Sequence, residues 1–199
     1  MPAGSSQQIR RPALPDYYLV TGQWAATAAF SSILDAALQR GRKLIQLRLP
    51  EWAADKLRPL AEYAASQCSR SGAILLINEH IELAALLAGS GVHLKSSQLM
   101  QLRTRPLPAD RLVAASCHNE KEIERACALN VDFICLSPVL ETTSHPGAPA
   151  LGWERFEALC HLSRVPVYAL GGLNEEHLSQ AQEAGASGVA GISGFWNAP

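Results

Sequence analysis

No run of lysines or arginines occurs in these 199 residues, and the formal net charge is -1. A protein that grips a nucleic-acid backbone needs a basic stripe, so nucleic acid is excluded as a partner. No apolar stretch reaches the ~18 residues that span a bilayer, which excludes a membrane helix. The start, Met1 to Arg11, is polar and basic with no apolar segment behind it, unlike a secretory leader. There is no Cys-x-x-Cys pair. The five cysteines, Cys68, Cys117, Cys127, Cys135 and Cys160, are an odd number. That spacing supports neither a disulfide framework nor a zinc site. It points to a reducing compartment, so a cytoplasmic location is expected. Ser116 lacks the Gly-x-Ser-x-Gly surroundings of a nucleophile elbow.

What is present is apolar and periodic. The chain is 48% hydrophobic and 18% charged, enough for one well-buried domain. Residues 2–15 hold three prolines and read as a linker or tail, so 1–16 is set apart from a domain at 17–199. From Tyr17 onward eight short apolar runs recur, at 17–20, 44–47, 73–77, 91–94, 112–116, 132–137, 166–170 and 187–192. Most are continuous rather than alternating, the mark of parallel strands covered on both faces. Between them lie helical patterns, such as Phe30, Ile33, Leu34, Ala37 and Leu38, or Leu57, Leu60, Ala61 and Ala64. Asn119 with Glu122, and Asn174 with Glu175 and Glu176, have the residue types that open helices. The pattern predicts a compact α/β (β/α)8 TIM barrel. Only six residues, Gly194 to Pro199, remain after the last strand, so the closing helix is expected to be short or missing and to leave an apolar seam for a partner, a fused domain or the tail to cover, with Phe195 and Trp196 anchoring the chain end against the first helix.

In such barrels the chemistry sits where the strands end. Gln46 and Arg48 alternate on one face of strand two, and an arginine there suits a phosphate. Asn78 and Glu79 close strand three, an amide and a carboxylate suited to a metal or a ring nitrogen. His93 and Lys95 close strand four, and a lone histidine there is more often structural. Ser116 and His118 close strand five. The segment 137–153 is long and hydroxyl-rich, with Thr142, Thr143, Ser144 and His145, as binding loops often are. Gly171 and Gly172 end strand seven, and Ile192, Ser193 and Gly194 end strand eight. Glycines let backbone N–H groups approach an anion, and the loops after strands seven and eight are the usual phosphate site of this fold.

Taken in order, LIQLR, LLINE, GVHL, AASCH, SPVLETTSH and YALGGLNEEHL…AGASGVAGIS resemble the landmarks of the thiamine phosphate synthase/TenI family, from Tyr17 to Trp196. The stretch PVLETTSHPGAPALGWERF resembles the synthase-like domain that follows a Nudix hydrolase in some bacterial fusion proteins. The resemblance implies a transferase of thiamine biosynthesis. It would join an aminopyrimidine diphosphate to a thiazole phosphate with magnesium and release pyrophosphate. By the same resemblance Gln46, Arg48 and Asn78 would bind the pyrimidine and diphosphate, and Ser116, with His118 nearby, would face the reacting groups. Thr142, Ser144 and His145 would hold pyrophosphate. Gly171, Gly172, Ile192 and Ser193 would cradle the thiazole phosphate. Ser116 and Arg48 are the catalytic candidates and Glu79 the metal candidate.

The sequence departs from that family at charged positions. The family's Gln-x-Arg-x-Lys lysine is Pro50 here, and the aspartate of its Asn-Asp pair is Glu79. Its second metal aspartate falls at Gln98, with Lys95 three residues before. The lysine of its Thr-x-Thr-Lys loop is His145. Magnesium needs anionic oxygens, so weak binding at Glu79 is expected. Two alternatives to an active synthase follow. One is a non-catalytic phosphate-ligand-binding domain that partners a Nudix hydrolase or a second copy of itself. The other is a TenI-like thiazole tautomerase, whose catalytic histidine position is Pro138 here.

Overall fold

A computed structural model of the chain describes residues 14–142, 147 and 149–196. Eight strands form one closed, all-parallel barrel in sequence order. They are β1 (Tyr17–Val20), β2 (Leu44–Leu47), β3 (Ile74–Asn78), β4 (Gly91–Leu94), β5 (Val113–Cys117), β6 (Phe133–Leu136), β7 (Val167–Leu170) and β8 (Gly188–Gly191). β8 returns to β1 with Tyr18 opposite Ala190, which closes the ring and leaves no strand edge unpaired. Among the described residues seven α-helices cover the outside: α1 (Phe30–Gln39), α2 (Ala54–Arg70), α3 (Ile81–Leu86), α4 (Ser96–Gln101), α5 (Glu120–Ala128), α6 (Gly152–Cys160) and α7 (Leu178–Glu183).

Two cores explain why the strand runs are apolar on both faces at most positions. Tyr18, Leu44, Leu76, Ala114, Phe133, Cys135, Tyr168 and Ala190 point inward and fill the barrel. Their neighbours in sequence, including Leu19, Ile45, Ile77, Val92, Ala115, Ile134, Ala169 and Val189, point outward into the helix layer. Each Leu, Ile, Val or Phe among them contributes roughly 1.5–3 kcal/mol by leaving water. On α2 the buried residues Leu57, Ala61, Ala64 and Cys68 recur every three or four positions, as one helix face must. All five cysteines are free and buried.

The expected caps form. The Asn119 side chain accepts the Glu122 N–H at 3.1 Å, and Asn174 accepts the Glu176 N–H at 3.1 Å. The second opens a 3-10 turn over Glu175–His177 that runs into α7. The sequence reading left 137–153 as one loop, whereas α6 begins at Gly152. Leu14, Pro15 and Asp16, placed in the tail by that reading, lie on the barrel floor. The Asp16 carbonyl accepts the Val189 N–H at 2.9 Å, and the Tyr168 hydroxyl donates to the Pro15 carbonyl.

Among the described residues no helix follows β8. The expected exposed seam is nevertheless not there. Phe195 and Trp196 fold back and are buried, so the exposed large apolar side chains among the described residues are Leu86, Met100 and Leu162, on other helices or loops. The Trp196 indole N–H donates to the Val20 carbonyl at 2.8 Å, and its ring meets Trp24 edge-on at 4.8 Å. Arg40 donates to the Trp196 carbonyl at 2.6 Å. Gly191 makes this possible, because a Cβ there would lie 2.0 Å from the Phe195 ring. Two aromatic side chains thus do locally what a helix would do.

Candidate functional site

Because every strand runs the same way, the strand ends named by the sequence all gather at one mouth. Beneath it lies an aromatic floor. Tyr18, Phe133 and Tyr168 pack with ring centroids 5.1–5.8 Å apart. On that floor stands a chain of buried polar groups. Gln46, only 3% exposed, donates from Nε2 to the Tyr18 hydroxyl at 2.8 Å. Tyr18 in turn lies 3.1 Å from His93 Nδ1, and His93 Nε2 lies 2.9 Å from Ser116 Oγ. Since Gln46 donates to Tyr18, the tyrosine O–H is free to donate to Nδ1. The ring proton then belongs on Nε2, where it donates to Ser116. That leaves the Ser116 O–H for a ligand. Burial, and secondarily the positive charge of Arg48, push the His93 pKa down to about 3, so the ring is neutral.

Arg48 lies just past the end of β2. Its backbone is fixed by Thr21, whose hydroxyl accepts the Arg48 N–H at 2.7 Å and donates to the Arg48 carbonyl at 3.1 Å. Its guanidinium has no hydrogen bond or ion pair among the described residues. Asn78 is nearly buried, and its carboxamide likewise has no partner among the described residues. Glu79 adopts φ 55° and its carboxylate meets the Lys95 ammonium. No group of three or more His, Cys, Asp or Glu side chains able to hold a metal occurs among the described residues. His118 is turned aside, its Nδ1 on the Ser137 carbonyl at 2.7 Å. Pro50 is exposed.

The two glycine-rich loops sit together. A Cβ on Gly194 would lie 2.9 Å from the Asn174 Cβ. The loop after β6 is laced to the end of β7. Val139 N–H donates to the Leu170 carbonyl at 2.9 Å, and Leu140 N–H to the Gly171 carbonyl at 3.0 Å. Gly171 and Gly172 have φ of +103° and +70°, and a Cβ on Gly172 would stand 2.4 Å from the Glu141 carbonyl oxygen. Only glycine satisfies both demands. The N–H groups of Gly171, Gly172, Ile192 and Ser193 find no acceptor among the described residues. Four unsatisfied donors on adjoining loops are what an anion site requires. Thr142 lies on the loop after β6. Ser144 and His145 lie outside the described residues.

Over residues 17–195 the sequence matches the family model described as thiamine monophosphate synthase. The chain belongs to the thiamine monophosphate synthase family. It is 33% identical to the thiamine-phosphate synthase of Thermus thermophilus, covering 92% of this chain and 89% of that protein. It is 32% identical to that of Anoxybacillus flavithermus, covering 91% and 86%. A longer synthase from Thermosynechococcus vestitus is 33% identical over 87% of this chain, which spans 49% of that protein. Among solved structures, a thiamine phosphate pyrophosphorylase from Pyrococcus furiosus superposes with a TM-score of 0.75 at 18% identity, over 92% of this chain and 88% of the other. That likeness shows the shared barrel. Relative to the family landmarks, the residues that sequence reading set aside are Tyr18 and His93, which connect Gln46 to Ser116. Tyr18 lies in a plain apolar run, and no local signal separates it from the core.

Proposed function

We propose that this chain is a thiamine-phosphate-synthase-type transferase, joining an aminopyrimidine diphosphate to a thiazole phosphate with release of pyrophosphate. It would work more slowly than a chain with the family's full set of charges. One observation carries this reading. Gln46, Arg48, Asn78 and Ser116 converge on the same barrel mouth as the unsatisfied N–H groups of Gly171, Gly172, Ile192 and Ser193. A mouth with two separate anion-ready regions suits two phosphorylated reactants held side by side, and holding them in register is itself a large part of catalysis. Arg48 and Asn78 would take the diphosphate, the glycine loops the monophosphate, and the Ser116 hydroxyl would face the reacting groups. Thr142, Ser144 and His145 would close over the pyrophosphate.

The test is direct. The full chain is incubated with both substrates, and thiamine phosphate and pyrophosphate are measured. Product in equal amounts supports the transferase. If both substrates bind and no product forms, the second reading stands: a non-catalytic phosphate-ligand-binding domain, docked to a Nudix partner. Pro50 and the Lys95–Glu79 pair favour that second reading, because both change the charge offered to a leaving pyrophosphate.

A further inference from the structure

Between β3 and β4 the mouth carries a feature that the family chemistry does not explain. Glu79 follows Asn78 in the left-handed region, which a glutamate seldom occupies. Its backbone is held from two sides. The Glu79 N–H donates to the His93 carbonyl at 2.9 Å, and Gln98 Nε2 donates to the Glu79 carbonyl at 2.9 Å. The other end of the Gln98 amide accepts the Lys95 N–H at 3.4 Å. One amide therefore bridges the main chains of two oppositely charged residues and sets their side chains together, carboxylate against ammonium. The Glu79 side chain is 14% exposed and that of Lys95 57% exposed. The carboxylate is largely covered, while the ammonium, with three N–H donors, keeps an open side.

These residues do not fit magnesium, the ion implied by the family resemblance. The ion takes hard anionic oxygens in octahedral geometry. Here the single carboxylate is neutralised by an ammonium, and Gln98 spends both ends of its amide on backbone. The Glu79–Lys95 pair sums to no net charge, and Arg48 at the same mouth adds a cation without a partner among the described residues. We propose that Lys95 replaces the divalent cation: fixed by Glu79, its ammonium contacts phosphate oxygens of the ligand, so that a diphosphate binds at this mouth without metal. This rests on the reading of the mouth as a phosphate site, and it assigns a metal-free way of holding the diphosphate.

The probe is inorganic pyrophosphate, titrated into the full chain by calorimetry in excess chelator and again in magnesium. Binding should persist in chelator, within about threefold of its strength in magnesium. Lys95→Ala should weaken it by about tenfold or more, the range for losing a charge-assisted hydrogen bond, while Lys95→Arg should stay within about threefold. Glu79→Gln gives the opposite sign. It frees the ammonium, so affinity should hold or rise, whereas a metal-binding carboxylate would make it fall. Binding that needs magnesium, binding indifferent to Lys95→Ala, or no binding in either buffer would overturn the proposal. Failures here and of the transferase reading separate cleanly. Transfer activity with magnesium-dependent pyrophosphate binding removes only this inference. Metal-free, Lys95-dependent binding without transfer removes only the transferase.

Discussion

Acid should weaken this fold through His93 in particular. The ring is buried in the barrel, and its pKa is lowered to about 3, first by burial and then by Arg48. In the unfolded chain the same histidine titrates near 6.5. The unfolded state therefore binds a proton below about pH 6.5 that the folded state refuses. Stability rises with pH wherever the unfolded state holds more protons, so it must fall as pH drops through this window, levelling out near pH 3. The slope for one proton is about 1.4 kcal/mol per pH unit. At pH 5 the loss is roughly 2 kcal/mol, a large share of the ~5–15 kcal/mol that keeps a domain folded. Urea unfolding at pH 7 and pH 5 measures it, with His93→Gln as the comparison. Glutamine is polar and does not titrate, so the variant should lose about 2 kcal/mol less between the two pH values than the natural chain. Parallel losses, differing by less than about 0.5 kcal/mol, would mean that His93 takes its proton in the folded state. The neutral chain from Gln46 to Ser116 would then be wrong.

Three other perturbations probe different parts of the molecule. Arg48→Ala removes a guanidinium without a partner among the described residues, so the unfolding midpoint should shift little, within about 0.5 kcal/mol. Phosphate-ligand affinity should fall at least about tenfold. A large stability loss with unchanged affinity would make Arg48 structural. Gly172→Ala places a Cβ 2.4 Å from the Glu141 carbonyl oxygen at a φ of +70°, which should cost about 1–3 kcal/mol in backbone strain and displace the loop after β6. Thermal unfolding with and without inorganic phosphate reads both effects, and an unperturbed variant that still binds phosphate refutes the packing. Trp196→Ala should destabilise by about 3–5 kcal/mol, as deletion of a buried aromatic does. A loss under about 1 kcal/mol, on the same scale, would show that the seam is closed by something other than the aromatic plug.

The fold was readable because its physics is local. Strands covered on both faces are apolar at most positions, and the runs at 17–20, 44–47 and 91–94 are the strands found. The glycines after β7 and β8 were readable for a similar reason, since left-handed backbone and close approach leave few other choices. The polar chain on the floor was not. Tyr18 and His93 are 75 residues apart, and either one alone reads as core filling or as a lone structural histidine. Their roles come from closure of the barrel, which no window along the sequence contains. The seam was legible in part. Phe195 and Trp196 read as anchors for the chain end and are buried, but no window along the sequence shows that Gly191 lets Phe195 fold back over the strand it follows, so an open seam was expected. Lys95 was visible as an added charge, while its engagement by Glu79 depended on the left-handed turn at Glu79, for which glutamate gives no cue.

The two halves of the mouth are built from different materials, and this governs how each responds to substitution. The region between β7 and β8 offers main-chain N–H groups. On the proposed reading its affinity for an anion would depend on φ at Gly171 and Gly172 and on the packing beneath them, and most side-chain changes nearby should leave it alone. The region from β2 to β5 offers side chains, so losing Arg48, Glu79 or Lys95 changes its charge by a whole unit. Pro50 supplies no cation where the family has one, and Lys95 supplies a cation where the family resemblance implies a metal. These act in opposite directions on the field that a diphosphate meets. Ser116 stands with the second group, but its orientation is set by His93, which stays neutral partly because Arg48 is close. Hence Arg48→Ala should do more than remove a contact. It should let the His93 pKa rise from about 3, so that the loss of stability in acid levels out at a higher pH and is smaller in total. A phosphate contact and the hydrogen-bond direction at Ser116 would then be linked through one guanidinium. Measuring the pH dependence of unfolding in Arg48→Ala beside the natural chain tests that link. If the two curves keep the same shape, Arg48 and the buried chain act independently.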